Sequence, residues 1–166
     1  MDLKFKNMKK LFITAAIATM FSVTAFAADG GKKNTSEAGI TTSALNHFAT
    51  GFSQAKDAVW SVSANCQKAI FNLNGVSTTA FYDLSGEYIG STQDVDYAII
   101  PADAKETIAK KYTDYAVNEV IKFNYEGTNN DINPIVYFID LKKADASEVV
   151  LRIAPGEGLS FYKKVK

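Results

Sequence analysis

Few side chains in this chain can do covalent or acid–base chemistry. There is one histidine, His47, and one cysteine, Cys66. A Ser–His or Cys–His arrangement would have to use His47. That residue lies off the apolar stripe Leu45, Phe48, Phe52 and Ala55, so it is expected on the solvent side of its helix with no orienting partner. Zinc sites of the usual kind draw on several cysteines and histidines, which this composition does not supply. No glycine-rich phosphate loop is present. Calcium needs clustered oxygen ligands. Asp94, Asp96 and the run Asn129-Asn130-Asp131-Ile132-Asn133 are the only candidates, and neither has EF-hand spacing. The chain therefore reads as a non-enzyme, with no metal and no cofactor. Cys66 cannot form an internal disulfide. It is either a buried small hydrophobe or a thiol able to pair between chains, and the lack of a neighbouring base favours the first.

Aromatic residues suggest binding instead. If Phe71, Phe81, Ile89 and Phe161 point toward helices, then Tyr82, Tyr88 and Tyr162 lie on the opposite sheet face with Phe138. These four are the candidate partner-binding residues, because large amphipathic rings on an open sheet make good interface anchors. The competing role for them is cross-strand pairing on a half-wet sheet. A second binding mode is an apolar pocket for a small ligand, lined by Phe52, Tyr112 and Tyr137.

The elements that must position these residues are legible from periodicity. Thr41-Thr42-Ser43 offers helix-capping hydroxyls before the stripe from Leu45 to Ala55. The run Ala58 to Thr92 then reads as four short strands. Asn74-Gly75 is the favoured pair for a two-residue hairpin, where both central positions need positive φ. Asp83-Leu84-Ser85-Gly86 is a type I turn ending in glycine. After Ile99-Ile100-Pro101 a second helix is expected, with Asp103 and Glu106 near its start and Ala104, Ile108, Tyr112 and Tyr115 on its buried face. Four more strands follow. Ile121, Phe123 and Tyr125 alternate with polar residues, as do parts of Ile135–Leu141 and Val149–Ala154, and Leu159–Val165 comes after the turn Pro155-Gly156-Glu157-Gly158. The order predicts an α+β fold of two halves, α-ββββ-α-ββββ, each a helix plus a four-stranded antiparallel sheet, with the helices on one face.

The chain has 166 residues, enough for one domain plus a targeting segment. Lys4, Lys6, Lys9 and Lys10 precede the apolar run Leu11 to Val23, and Ala25-Phe26-Ala27 is a small-x-small cleavage pattern. Residues 1–27 thus read as a secretory signal peptide cleaved after Ala27, the apolar run being shorter than the ~20 residues that span a bilayer. Residues 28–41 read as a flexible mature N-terminus. Residues 42–166 form the domain, with half-repeats at about 42–97 and 98–166. Beyond Ala27 there are 14 basic and 17 acidic side chains, a balance that gives no basic surface for nucleic acid.

The residues 43–166 resemble the PepSY-like family of exported bacterial proteins, related in fold to beta-lactamase inhibitory protein. The resemblance rests on Phe48 and Phe52 leading into Ala55-Lys56-Asp57-Ala58-Val59-Trp60, on Lys68-Ala69-Ile70-Phe71, and on Ala80 through Ile89. Ile100-Pro101, Ile108, Tyr112 and Glu119-Val120 resemble the start of the second half, and Tyr137-Phe138-Ile139-Asp140-Leu141 its central strand. Lys142 to Ser147 stands in the second half in place of the compact turn at Asp83–Gly86. The resemblance implies two helix-plus-sheet halves and a non-catalytic role as a binding or inhibitory module of the periplasm or cell exterior. The expected partner is another exported or periplasmic protein. No membrane span is expected once the signal is removed.

Overall fold

A computed structural model describes residues 39–125 and 135–165 of the chain. The signal peptide, most of the N-terminal segment and the run Asn129–Asn133 lie outside the described residues. Among those described, no helix is long and apolar enough to cross a membrane.

The elements are α1 (Thr42–Gly51), β1 (Lys56–Val62), β2 (Gln67–Leu73), β3 (Val76–Tyr82), β4 (Tyr88–Asp94), α2 (Ala102–Lys111), β5 (Ala116–Tyr125), β6 (Ile135–Lys142), β7 (Glu148–Ala154) and β8 (Gly158–Lys164). A short 3-10 turn, Tyr97–Ile99, precedes α2. The eight strands form one antiparallel sheet in sequence order. A pair of separate four-stranded sheets is not confirmed. The expected boundary after Tyr97 does not interrupt the pairing, because β4 pairs with β5 from Gly90↔Tyr125 to Asp94↔Ile121. The chain divides into two compact units within β4, the first ending at Ile89 and the second starting at Gly90.

In the first unit, Thr41 caps α1 as its hydroxyl accepts from the Ala44 amide at 3.3 Å. The helix covers a core of Ala44, Trp60, Ala69, Phe71, Ala80 and Tyr82, with Leu45, Phe48 and Phe52 packed against it. The Asn74-Gly75 hairpin forms as expected. Both residues take positive φ, and Leu73 pairs with Val76. The other face of β2 and β3 buries Cys66 and Phe81 beside Ile89. Cys66 is thus a small hydrophobe in a packed layer, 8% exposed.

In the second unit, α2 starts after Pro101 and carries Asp103 in its first turn and Lys110 and Lys111 in its last, which suits the helix dipole at both ends. Ala104 and Ile108 pack on Val120, Ile139, Leu141, Val149 and Leu151, with Tyr112, Tyr115 and Tyr137 at the margin. The stripe read from the sequence is the buried stripe.

The architectural repeat reaches down to single hydrogen bonds. The Phe52 amide bonds the Phe48 carbonyl where α1 ends, and the Tyr112 amide bonds the Ile108 carbonyl where α2 ends. The turn at Lys143–Ser147 makes the same two bonds as Asp83–Glu87. Lys143 N–H donates to Ser147 C=O as Asp83 does to Glu87, and Ala146 N–H donates to Lys143 C=O as Gly86 does to Asp83. The second half therefore keeps the compact turn, contrary to its sequence. Its cost is visible at Ala146, which takes φ +66 where the first turn has a glycine. Ala146→Gly is expected to raise stability by about 0.5–1 kcal/mol, since relief of the left-handed strain at an exposed site outweighs the added chain entropy. Urea unfolding of the two proteins measures it, and an unchanged or lower midpoint counts against strain at this position.

Candidate functional site

Cross-strand register decides where the four candidate residues go. The two-residue turn pairs Gln67 with Tyr82, Ala69 with Ala80 and Phe71 with Thr78. Directly paired residues share a face. Tyr82 therefore lies with Phe71 under α1, not on the opposite face. Its side chain is wholly buried. Its ring sits 5.5 Å from Trp60, 5.5 Å from Tyr88 and 5.6 Å from His47. Tyr88 is half-buried in the same cluster, and its ring stacks on His47 at 4.5 Å and 17°. The expectation of an outward tyrosine pair is corrected here: Phe81 and Ile89 take the face assigned to the tyrosines.

His47 is displaced from its expected place as well. It is half-buried, and its Nδ1 shares a hydrogen bond of 3.2 Å with the Tyr82 hydroxyl. Burial, then the neighbouring Tyr88, raises the Tyr82 phenol well above its ordinary value, so it stays protonated. A histidine beside a tyrosine hydroxyl is a proton-transfer pair in form. Here the hydroxyl has no surface to offer a substrate, and the pair serves to satisfy a polar atom inside an aromatic cluster.

Phe138 and Tyr162 do meet. Their rings contact at 5.0 Å, edge to face. Phe138 lies on the side of β6 turned away from Ile139 and Leu141, as expected, but it is 2% exposed. Tyr162 is half-buried and is the residue skipped where the β7–β8 register changes, between Lys163 opposite Val150 and Phe161 opposite Leu151. Of the four candidates only Tyr88 and Tyr162 keep any surface. The residues proposed to line an apolar pocket are packed in cores. Phe52 contacts Phe48 and Phe71 in the first unit, while Tyr112 and Tyr137 close the core of the second.

Other large apolar side chains are exposed singly, Leu84 and Ile99 among them. Phe161 on β8 is 59% exposed, and Val59 and Val62 on β1 are also open. β1 and β8 are the two end strands of the sheet order. An open cleft of about 560 Å³ lies between Thr113–Asn118 and Lys142–Ala144. Lys143 fills part of its rim, with its ammonium 4.7 Å over the Tyr115 ring and 3.6 Å from Asp114.

Sequence reasoning missed a set of carboxylates on the second unit. Glu119 is paired directly with Asp140 across β5 and β6. Asp140 is 1% exposed and Glu148 is 7% exposed. The signal was there. Glu119 falls in the apolar column of β5 with Ile121 and Phe123, and Asp140 falls in the column of Phe138 on β6. Among the described residues, no group of acidic, histidine or cysteine side chains is placed to hold a metal ion.

No family model matches the chain, and no curated protein matches it. Solved structures do. A BLIP-like protein from Bacteroides fragilis aligns with TM-score 0.60 and 14% identity over 75% of this chain and 86% of that one. A protein from Bacteroides eggerthii described as periplasmic aligns with TM-score 0.63 and 16% identity over 75% and 88%. A DUF2874 family protein from Bacteroides uniformis aligns with TM-score 0.64 and 14% identity over 75% and 89%. At these identities the shared property is the fold. The expected relation to the beta-lactamase inhibitory fold is thereby supported, and membership in a PepSY-like family is not shown.

Proposed function

We propose that the chain is an exported, non-enzymatic protein-binding module of the PepSY-like kind, acting in the periplasm or outside the cell on another exported protein. The observation that carries the reading is the fold shared with a BLIP-like protein over three quarters of the chain. Two features of the chain support it. The only histidine is committed to an internal hydrogen bond. A large aromatic side chain, Phe161, stands exposed on an end strand. An exposed ring of this kind suits a hot spot, because burying it in a partner gains its apolar area at little entropic cost. The basic start, apolar run and cleavage pattern of residues 1–27 support export.

The mature chain, immobilised and exposed to periplasmic extract, is expected to retain a saturable partner. Phe161→Ser is expected to weaken that retention at least tenfold, with the fold intact by circular dichroism. Equal retention by both proteins removes Phe161 from the interface. No saturable partner under any extract condition overturns the binding reading itself.

A further inference from the structure

Asn74-Gly75 is the only Asn–Gly pair in the chain. Both residues are exposed and both take positive φ, and a Cβ added at Gly75 would meet nothing within 4 Å. An asparagine followed by glycine is chemically labile, because no side chain shields the glycine nitrogen from the asparagine's own Cγ. In this turn that nitrogen is engaged. Its N–H donates to Asn72 Oδ1 at 2.8 Å. Asn72 is half-buried on β2 and stands opposite Ser77, in the same ladder that closes the turn with Leu73 opposite Val76. A side chain that bonds a nearby backbone group in this way also restrains what that group can do.

We propose that Asn74 is a site of spontaneous modification by water, and that Asn72 is its brake. The inference is independent of the protein-binding reading. The Gly75 nitrogen gives up its proton and attacks Asn74 Cγ. A C–N bond forms, the Cγ–Nδ2 bond breaks, and Nδ2 leaves as ammonia with the proton that Gly75 lost. The product is a five-membered succinimide. Water then adds to either ring carbonyl and opens it to aspartate or isoaspartate. One water is consumed and one ammonia released, with nothing oxidised or reduced. The bond to Asn72 opposes the first step. The Gly75 proton leaves only when that bond breaks, which adds the net worth of one hydrogen bond to the barrier, about fivefold in rate.

The product bears on the fold. Isoaspartate runs the main chain through the former side chain and lengthens the turn by one carbon. A two-residue hairpin has no slack for that atom, since its length and its positive φ values fix the strand pairing. The register at stake is the one that carries Phe71 and Tyr82 into the core under α1. The isoaspartyl protein is therefore less stable than its parent.

Peptide mapping by mass spectrometry of the mature protein, aged at mildly alkaline pH, tests the site and its brake. Conversion at Asn74 is expected to be slower in the folded wild type than in the same protein held unfolded in guanidinium chloride. Asn72→Ala is expected to convert about fivefold faster than the folded wild type. Asn72→Asp keeps an acceptor oxygen and is expected to convert no faster than the wild type. The isoaspartyl form, separated by ion exchange, is expected to unfold at a lower urea midpoint. The proposal is overturned by equal rates in the folded and unfolded wild type, or by an Asn72→Ala rate within twofold of the wild type. It is overturned equally by an Asn72→Asp rate as fast as that of Asn72→Ala, or by an unchanged midpoint in the isoaspartyl form. If Asn72→Ala fails to fold, the wild-type comparison and Asn72→Asp decide.

Discussion

Tyr82→Ala is expected to lower the unfolding free energy by about 3–5 kcal/mol, the range for deleting a large buried ring. The ring is wholly buried, and its three aromatic neighbours, Trp60, His47 and Tyr88, come from three different elements, β1, α1 and the start of β4. Truncation leaves a void that a helix cap and two strands cannot close without moving Trp60. It also strands the His47 ring nitrogen that now meets the hydroxyl. Tyr82→Phe separates the two contributions. It keeps the ring and loses one hydrogen bond, so its cost is expected near 1 kcal/mol. Urea unfolding at neutral pH measures both. A loss below about 1 kcal/mol for Tyr82→Ala would mean that the ring lies outside the core, as an interface residue would.

That comparison shows what the sequence held and what it hid. The turn at Asn74-Gly75 was legible from two residues. A two-residue turn fixes the strand pairing, and Leu73 opposite Val76 forces Phe71 opposite Thr78 and Gln67 opposite Tyr82. Placing Tyr82 on Phe71's face therefore needed no coordinates. Alternation within β3 alone, with Phe81 taken as the core residue, obscured it, because both β3 faces are buried near the strand's end: Phe81 is 2% exposed and Tyr82 wholly buried. A period-two pattern identifies a strand but cannot choose a face when both are apolar. The helices were easier. Ala104, Ile108, Tyr112 and Tyr115 recur on one stripe, and no turn parity enters. Glu119 and Asp140 were harder, since their meaning depends on lying opposite each other across strands joined by the long segment between Tyr125 and Ile135. Nothing local specifies that register.

Gly86→Ala is expected to cost about 2–5 kcal/mol, from roughly 1–2 for a side chain in the left-handed region and roughly 1–3 for overpacking. Gly86 has φ +88, and a Cβ there would fall 2.2 Å from Thr41 Oγ1 and 2.8 Å from the Ala44 amide nitrogen. Thr41 could rotate away only by giving up its cap on α1 and its bonds to Gln67. The Ala44 nitrogen is helix backbone and cannot yield without moving α1. Buried Gln67 ties the same parts together. Its Oε1 accepts from the Thr41 amide at 2.7 Å, and its Nε2 donates to the Asp83 carbonyl at 2.7 Å. One amide side chain thus joins helix start, strand β2 and turn, and the glycine lets them close. Gly75→Ala is the internal control. It has φ +87, but nothing lies within 4 Å of its added Cβ, so only the backbone cost of roughly 1–2 kcal/mol applies. Urea midpoints for the two variants should differ clearly, with Gly86→Ala the less stable. Equal losses would mean that the turn does not bear on the helix cap, and that the Thr41–Gln67–Asp83 contacts tolerate displacement of α1.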